Sequence, residues 1–339
     1  MYLEEVVMGN VLVTGGAGFI GSHLADYLLG QNQTVVTLDD LSGGFMSNLS
    51  EPYSTNFVRG SILDHQLIDD LFDKWKFDYV YHTAAHAAEI LSPHIRRFNY
   101  LNNLVGSANL INASVNHDVK CFVFLSSIAV YGASSPPFNE NQKPNPQDPY
   151  GIAKLAVEQD LASANALFGL PYVVFRPGNV YGPRQNISDR YRNVVGIFMN
   201  QALRGERFTI FGSGDQQRAF TYIDDIIPAI ATAPVVQDAI NRTFNIGGDT
   251  PITVNDLAEA VARVMNVDLN VLYLPTRHEV KIAYRNNERL ESVFGKQTYT
   301  GIMVGLQRMA EWVRKHGPQT INRFSEIEIK KNLPESWTQ

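Results

Sequence analysis

The stretch Val11-Leu12-Val13-Thr14-Gly15-Gly16-Ala17-Gly18-Phe19-Ile20-Gly21 decides the reading of the chain: an apolar run feeds a glycine turn, and a helical pattern follows through Ser22 to Leu29. Gly15 can take a turn conformation, Gly18 has no side chain to hold a pyrophosphate away, and Gly21 lets helix and strand pack closely. The start of the helix, with Phe19 and Ile20, then faces the phosphates. A glycine triplet alone also fits a hairpin or a loop. Here Thr34-Val35-Val36-Thr37-Leu38 reads as a second strand that ends at Asp39, about 20 residues on, where a dinucleotide fold keeps an acid. A carboxylate there accepts both ribose hydroxyls of NAD and repels the 2′-phosphate of NADP, which wants an arginine. NAD is the expected cofactor, met by Gly15, Gly18, Phe19, Ile20, Gly21 and Asp39, with Asp40 as the alternative acid.

Working outward, 339 residues with 45% hydrophobic and 18% charged side chains suffice for one large domain or two closely joined ones. A formal charge of -6 and the lack of a basic stripe give no electrostatic basis for binding nucleic acid or an anionic membrane. No apolar run is long enough to span a bilayer, and Glu4 and Glu5 precede the first short apolar strand. The expectation is a cytoplasmic enzyme. The one cysteine, Cys121, lies in the apolar run Cys121-Phe122-Val123-Phe124-Leu125, which excludes disulfides within the chain and reads as a buried small residue.

Strand-like runs near 11–14, 34–38, 56–58, 78–82, 121–126 and 171–175 alternate with amphipathic stretches. That alternation predicts an α/β fold with a doubly wound parallel (Rossmann) sheet. Residues 1–176 are read as the NAD-binding domain, with a return segment near 220–248, and residues 177–330 as an interleaved, smaller mixed α/β substrate lobe. Within that lobe Thr253-Val254-Asn255-Asp256 has the form of a helix N-cap with an acid at the third position, and Leu257, Val261 and Val264 follow at helical spacing. Residues 331–339 read as a polar tail.

Asp148-Pro149-Tyr150-Gly151-Ile152-Ala153-Lys154 starts a helix, so Tyr150 and Lys154 share one face. A phenol of ordinary pKa ~10 is a poor base at neutral pH, but a neighbouring ammonium and a nicotinamide cation both favour its phenolate. Lys154 can also donate hydrogen bonds to the nicotinamide ribose. Upstream, Ser126 and Ser127 sit at the C-terminal end of a strand, where a doubly wound sheet binds ligands. A serine there can hydrogen-bond the reacting oxygen, or it can satisfy backbone groups at the strand end. His82, His86, Glu89 and His94 have metal-ligand chemistry, but His82 ends a strand and the zinc-protease pattern is absent, so core or loop histidines explain them better and no metal is expected.

Together these segments resemble the extended short-chain dehydrogenase/reductase family, in its nucleotide-sugar epimerase branch (UDP-glucose/UDP-galactose 4-epimerase-like). Further segments that carry the resemblance are Asn103-Leu104-Val105-Gly106-Ser107, Val130-Tyr131-Gly132, Arg176 through Arg184, and Gly212-Ser213-Gly214 through Gln217-Arg218 to Asp225. The resemblance implies that Ser127, Tyr150 and Lys154 are the catalytic triad and that Asp64 approaches the adenine. It also implies that Asn179, Arg218, Arg277 and Glu279 meet a nucleotide-diphosphate sugar, that this sugar is UDP-linked, and that the protein pairs as a homodimer through the helix bearing Tyr150. Paired guanidinium donors at Arg218 and Arg277 suit a diphosphate.

Within the resemblance, 4,6-dehydratases carry a Thr-Asp-Glu run where this chain has Ser127-Ile128-Ala129, and 3,5-epimerases place a cysteine where Ala129 stands. The decarboxylase branch has a glutamate in this neighbourhood, where this chain has Ile128 or Ala129. What remains is 4-epimerisation by transient oxidation to a 4-keto sugar and reduction on its other face. UDP-glucose, its N-acetylamino relative and UDP-glucuronate all stay open as substrates. Another NDP-sugar oxidoreductase or dehydratase of the same family and a non-catalytic NAD sensor are the competing readings, the last disfavoured because a sensor has no use for a phenolate base.

Overall fold

The computed structural model describes residues 9–50, 56–277, 280–321, 324, 326–334 and 337. Six strands, β1 (Asn10–Thr14), β2 (Thr34–Asp39), β3 (Phe57–Arg59), β4 (Tyr79–His82), β5 (Cys121–Leu125) and β6 (Tyr172–Pro177), form a parallel sheet with the later strand Arg242–Ile246. Its spatial order is β3-β2-β1-β4-β5-β6 and then Arg242–Ile246. The chain winds outward from β1 to β2 on one side and to β4 on the other, so the switch point lies between β1 and β4. Val11, Leu12 and Val13 are fully buried, as expected of a parallel strand covered on both faces, and so is Cys121.

Covering helices are α1 (Phe19–Gly30), α2 (His65–Trp75), α3 (Arg96–Tyr100), α4 (Gly106–Asn116) and α5 (Pro149–Phe168). Helix α5 starts where the sequence dictates: the Asp148 carboxylate accepts the Gly151 N–H at 3.0 Å, Pro149 occupies the first turn, and Gly169 closes the far end in the left-handed conformation. Beyond β6 the chain builds a mixed set of short strands. Phe208–Phe211 pairs parallel with Val271–Leu274, and Gln217–Ala219 lies between antiparallel Pro251–Thr253 and parallel Ile282–Ala283. The helix Val254–Met265 opens with the capping box read from Thr253 and Asp256, and packs with helices Val194–Leu203 and Ile302–His316. The chain then re-enters the sheet: helix Ile227–Thr232 lies on α1, and the Tyr81 hydroxyl donates to the Ala231 carbonyl at 2.5 Å. Among the described residues no helix is long and apolar enough to cross a membrane.

In the segment read as a polar tail, Trp337 is only 7% exposed and packs edge-on against Tyr191, with ring centres 4.9 Å apart. A single indole has enough apolar surface to hold a segment down against an otherwise polar composition. Glu4 and Glu5 lie outside the described residues.

Candidate active site

A cleft of about 1730 Å³ runs along the C-terminal ends of the strands. One drug-sized ligand fills roughly 300–1,000 Å³, so there is room for two molecules side by side. Gly15 follows β1, Asp39 ends β2, Gly60 follows β3, Thr83 follows β4, Ser127 follows β5 and Gly178 follows β6, and all six line the cleft. Parallel strands bring all six of these positions to one rim.

The cofactor end is built around the first turn. Gly15 has φ +69°, and a Cβ there would stand 2.8 Å from the Ala84 backbone; a Cβ on Gly21 would stand 2.1 Å from the Gly15 carbonyl oxygen. Neither position accepts a larger residue without moving the helix off the strand. Gly18 is the N-cap of α1 and supplies no side-chain cap, which leaves the first N–H groups of Phe19 and Ile20 for a phosphate. The Asp39 carboxylate accepts the N–H groups of Ala17 at 3.1 Å and Leu41 at 2.8 Å, and burial pushes its pKa above the ordinary value. Asp40 instead turns outward to the Ser42 N–H at 2.8 Å, which favours Asp39 as the ribose acid. This cradle fits an adenine dinucleotide. Asp64 does not belong to it: its carboxylate caps α2 through the Leu67 N–H at 3.1 Å and lies exposed, while Gly60 and Ile62 line the cleft in its place. Helix α2 needs an N-terminal acceptor, and Asp64 meets that need.

At the centre of the cleft, Ser126 and Ser127 separate. The Ser126 hydroxyl donates to Glu158 at 2.5 Å, behind the sheet edge, in a buried chain that continues from Glu158 to Arg176 at 2.9 Å and from Arg176 to the Tyr131 hydroxyl at 2.8 Å. Ser127 faces the cleft and is hydrogen-bonded to Tyr150. Tyr150 is 7% exposed, and burial drives its phenol well above the ordinary range. Lys154, one turn on, donates to the Leu125 carbonyl at 2.6 Å, and its ammonium sits 5.9 Å from the centre of the Tyr150 ring. Burial pulls Lys154 down to about 7, with the Glu158 carboxylate pulling the other way. Desolvation dominates here, so without a bound cation the protein alone holds Tyr150 as a phenol.

The other end of the cleft gathers Asn179, Arg218 and Arg277. Asn179 has φ +48°, and its amide donates to the Ala219 carbonyl at 3.2 Å, which pins the turn beside the strand bearing Arg218. Arg218 reaches the Lys281 carbonyl at 3.2 Å, and Arg277 lies over the Phe211 ring at 4.1 Å. Glu279 lies outside the described residues. Sequence reading missed two charged groups: Glu89 and Arg192 line the cleft and both act electrostatically on the Tyr150 phenol. No local pattern marks Arg192, and Glu89 was noticed only for its metal-ligand chemistry. His82 is a satisfied core residue, bonded to Thr14 and Ser107 at 2.8 Å each. His86 lies among Phe98, Phe324 and Arg192, and burial holds its pKa down at about 4.

A dinucleotide cradle joined at one rim to a serine, tyrosine and lysine cluster defines a dinucleotide-dependent enzyme of the short-chain dehydrogenase/reductase type. The chain belongs to the NAD dependent epimerase/dehydratase family, whose sequence model matches residues 11–247. It is 32% identical over 311 residues to the UDP-glucose 4-epimerase of Mycolicibacterium smegmatis, which covers 90% of this chain and 98% of that one. Among solved structures, the Thermotoga maritima UDP-glucose 4-epimerase with UDP-glucose superposes with a TM-score of 0.85 at 34% identity, covering 91% of this chain and 99% of that one. The UDP-N-acetylglucosamine 4-epimerase of Methanobrevibacter ruminantium in complex with UDP-N-acetylmuramic acid gives a TM-score of 0.85 at 31% identity, with the same coverage of 91% and 99%. NAD is accordingly the cofactor of this family, and the substrates are nucleotide-linked sugars.

Proposed function

We propose that the protein is a UDP-hexose 4-epimerase that oxidises the sugar transiently at carbon 4 and reduces it again on the opposite face. The observation that carries this reading is the pairing of Ser127 with Tyr150 beside Ile128 and Ala129, which line the cleft where a dehydratase needs an acid and a base. Relatives that act on UDP-linked sugars support the nucleotide.

Ser127 donates to or accepts from the sugar 4-hydroxyl and fixes its direction. Tyr150 takes the hydroxyl proton at Oη and returns it once the sugar has turned. When bound, NAD supplies the group that accepts hydride from carbon 4 and gives it back. Its positive charge also lowers the cost of the Tyr150 phenolate, which burial otherwise opposes. Lys154, anchored on the Leu125 carbonyl, positions the ribose and adds positive charge below the phenol. Arg218 and Arg277 hold the diphosphate, and Asn179 holds the linkage between diphosphate and sugar. With the diphosphate clamped in a wide cleft, the 4-keto sugar can rotate without leaving. Residues 177–330 serve as the substrate lobe in this account. Helix α5 leaves Ile152, Leu167 and Phe168 exposed, and Leu101 and Val105 before α4 are exposed as well; these apolar side chains form the homodimer face.

The test is incubation of the purified protein with UDP-glucose, UDP-N-acetylglucosamine and UDP-glucuronate in turn, followed by chromatography. The 4-epimer of at least one sugar, without accumulation of reduced nicotinamide, is the expected result. A 4-keto-6-deoxy product assigns the chain to dehydration instead, and no product from any of the three removes the epimerase reading.

A further inference from the structure

The sugar end of the cleft is closed by the C-terminal segment. Phe324, Ile329, Pro334 and Trp337 line the same cavity as Ser127 and Tyr150. Several contacts of its described residues hold the segment there, among them the His94 Nδ1 to Ile329 carbonyl bond at 2.7 Å. The Phe324 N–H donates to the Tyr191 hydroxyl at 3.2 Å. The Glu328 carboxylate accepts the N–H groups of Arg97 and Phe98, at 2.8 and 2.9 Å, at the start of α3. The Glu328 and Ile329 N–H groups donate to the His94 carbonyl at 2.9 and 3.2 Å. Trp337 packs against Tyr191. The frame that receives the segment also holds the base: the Tyr150 N–H donates to the Ser92 hydroxyl at 3.2 Å, and the Asn99 amide donates to the Pro149 carbonyl at 2.9 Å.

Phe324, Ile329, Pro334 and Trp337 give this wall an apolar face, beside which Glu326, Lys331 and Asn332 also line the cleft. The Phe324 ring lies 4.8 Å from Phe98 and 5.5 Å from His86, over a cluster containing Ala88, Leu91 and Ile95. Arg192 is paired through Nε with Asp189 at 2.6 Å, Arg190 has a partner, and Lys331 lies at the exposed rim. Resting on the epimerase reading above, we propose that Phe324, Ile329, Pro334 and Trp337 form the selectivity wall of the sugar subsite, admitting an uncharged substituent with an apolar face, such as an N-acyl group, and refusing a carboxylate. A methyl-bearing acyl group packs on Phe324 and Phe98 and loses little hydration. A carboxylate placed against those rings loses its water, and Glu89 and Glu326, which line the same cleft, oppose its charge.

The experiment compares kcat/KM for UDP-N-acetylglucosamine, UDP-glucose and UDP-glucuronate in the full-length protein and in Phe324→Ala, Phe324→Leu, Trp337→Ala and Phe324→Lys. The native protein is expected to prefer the N-acetyl sugar to the glucuronate. Phe324→Ala and Trp337→Ala should lower that preference by about tenfold, Phe324→Leu should restore most of it, and Phe324→Lys should move turnover toward the glucuronate. Unchanged melting temperature and NAD affinity establish that each variant is folded, and Phe324→Leu serves should the alanine variant not be. Preference ratios unchanged in all folded variants, or a native preference for the glucuronate, overturn the wall while epimerisation itself stands. Failure of the native protein on every sugar overturns both.

Discussion

The two ends of the cleft are built by different means. At the cofactor end the contacts come from the strand ends of one sheet and from the helices packed on it: Asp39 accepts the N–H groups of Ala17 and Leu41, and Lys154 of α5 donates to Leu125 at the end of β5. At the sugar end the wall is pieced together from segments around residues 86–98, 189–192, 218, 277 and 324–337, joined by contacts that are distant in sequence. A rigid sheet fixes where the chemistry happens, and the added segments decide what is brought to it. Changes at the first end should therefore abolish turnover or stability, and changes at the second should redistribute turnover among sugars.

Four outcomes sharpen or break that contrast. Tyr150→Phe removes the only phenolic hydroxyl bonded to Ser127 among the described residues, and kcat should fall by about 10²–10⁴-fold with NAD affinity retained. A fall of less than tenfold moves the proton transfer to another group, with Glu89 the first to examine. Glu158→Gln leaves Arg176 buried beside a neutral amide, and urea denaturation should report a loss of about 3–5 kcal/mol. A loss under 1 kcal/mol detaches the network from the stability of the cofactor end. Asp39→Ser should weaken NAD by about 1.5–3 kcal/mol in calorimetric titration and leave UDP-sugar affinity unchanged. Equal weakening of both ligands means the two ends are not separable.

The smallest effect is a slope with pH. Burial holds Lys154 at about 7 in the folded protein, against an ordinary 10.5. Between those values the unfolded chain carries a proton that the folded one lacks, so the cost of burying the ammonium is fully present below pH 7 and is relieved as pH rises toward 10.5. The cofactor-free protein should gain up to about 1.4 kcal/mol of stability per pH unit across that window, and Lys154→Met should lose this gain. Parallel slopes for the two proteins place Lys154 at its ordinary value.

Most of the cofactor end was legible in the sequence because its signals are local. The apolar run into Gly15 is one strand and one turn, Asp39 ends the next strand, and Tyr150 and Lys154 are one helical turn apart. The capping box at Thr253 and Asp256 was readable for the same reason. Asp64 misled because a helix cap and an adenine contact call for the same residue type, and only the direction of the carboxylate separates them. Ser126 and Ser127 are equivalent as letters; the alternation of an extended chain commits the Ser126 hydroxyl to Glu158 and not that of Ser127. The sugar end was hidden because its partners meet only in three dimensions. Nothing around Trp337 in the sequence points to Tyr191, and the surrounding polar residues gave the segment the look of a tail.

The most direct test of the central claim is to follow the hydrogen on carbon 4. UDP-hexose labelled with deuterium at that carbon is turned over in ordinary water, and both epimers are read by mass spectrometry together with absorbance of the reduced nicotinamide. Retention of the label at carbon 4 in both epimers, with no net reduced cofactor, is the predicted result, because the hydrogen that leaves is the one that returns. Label lost to water, or product accumulating in step with reduced nicotinamide, contradicts epimerisation by transient oxidation at Tyr150.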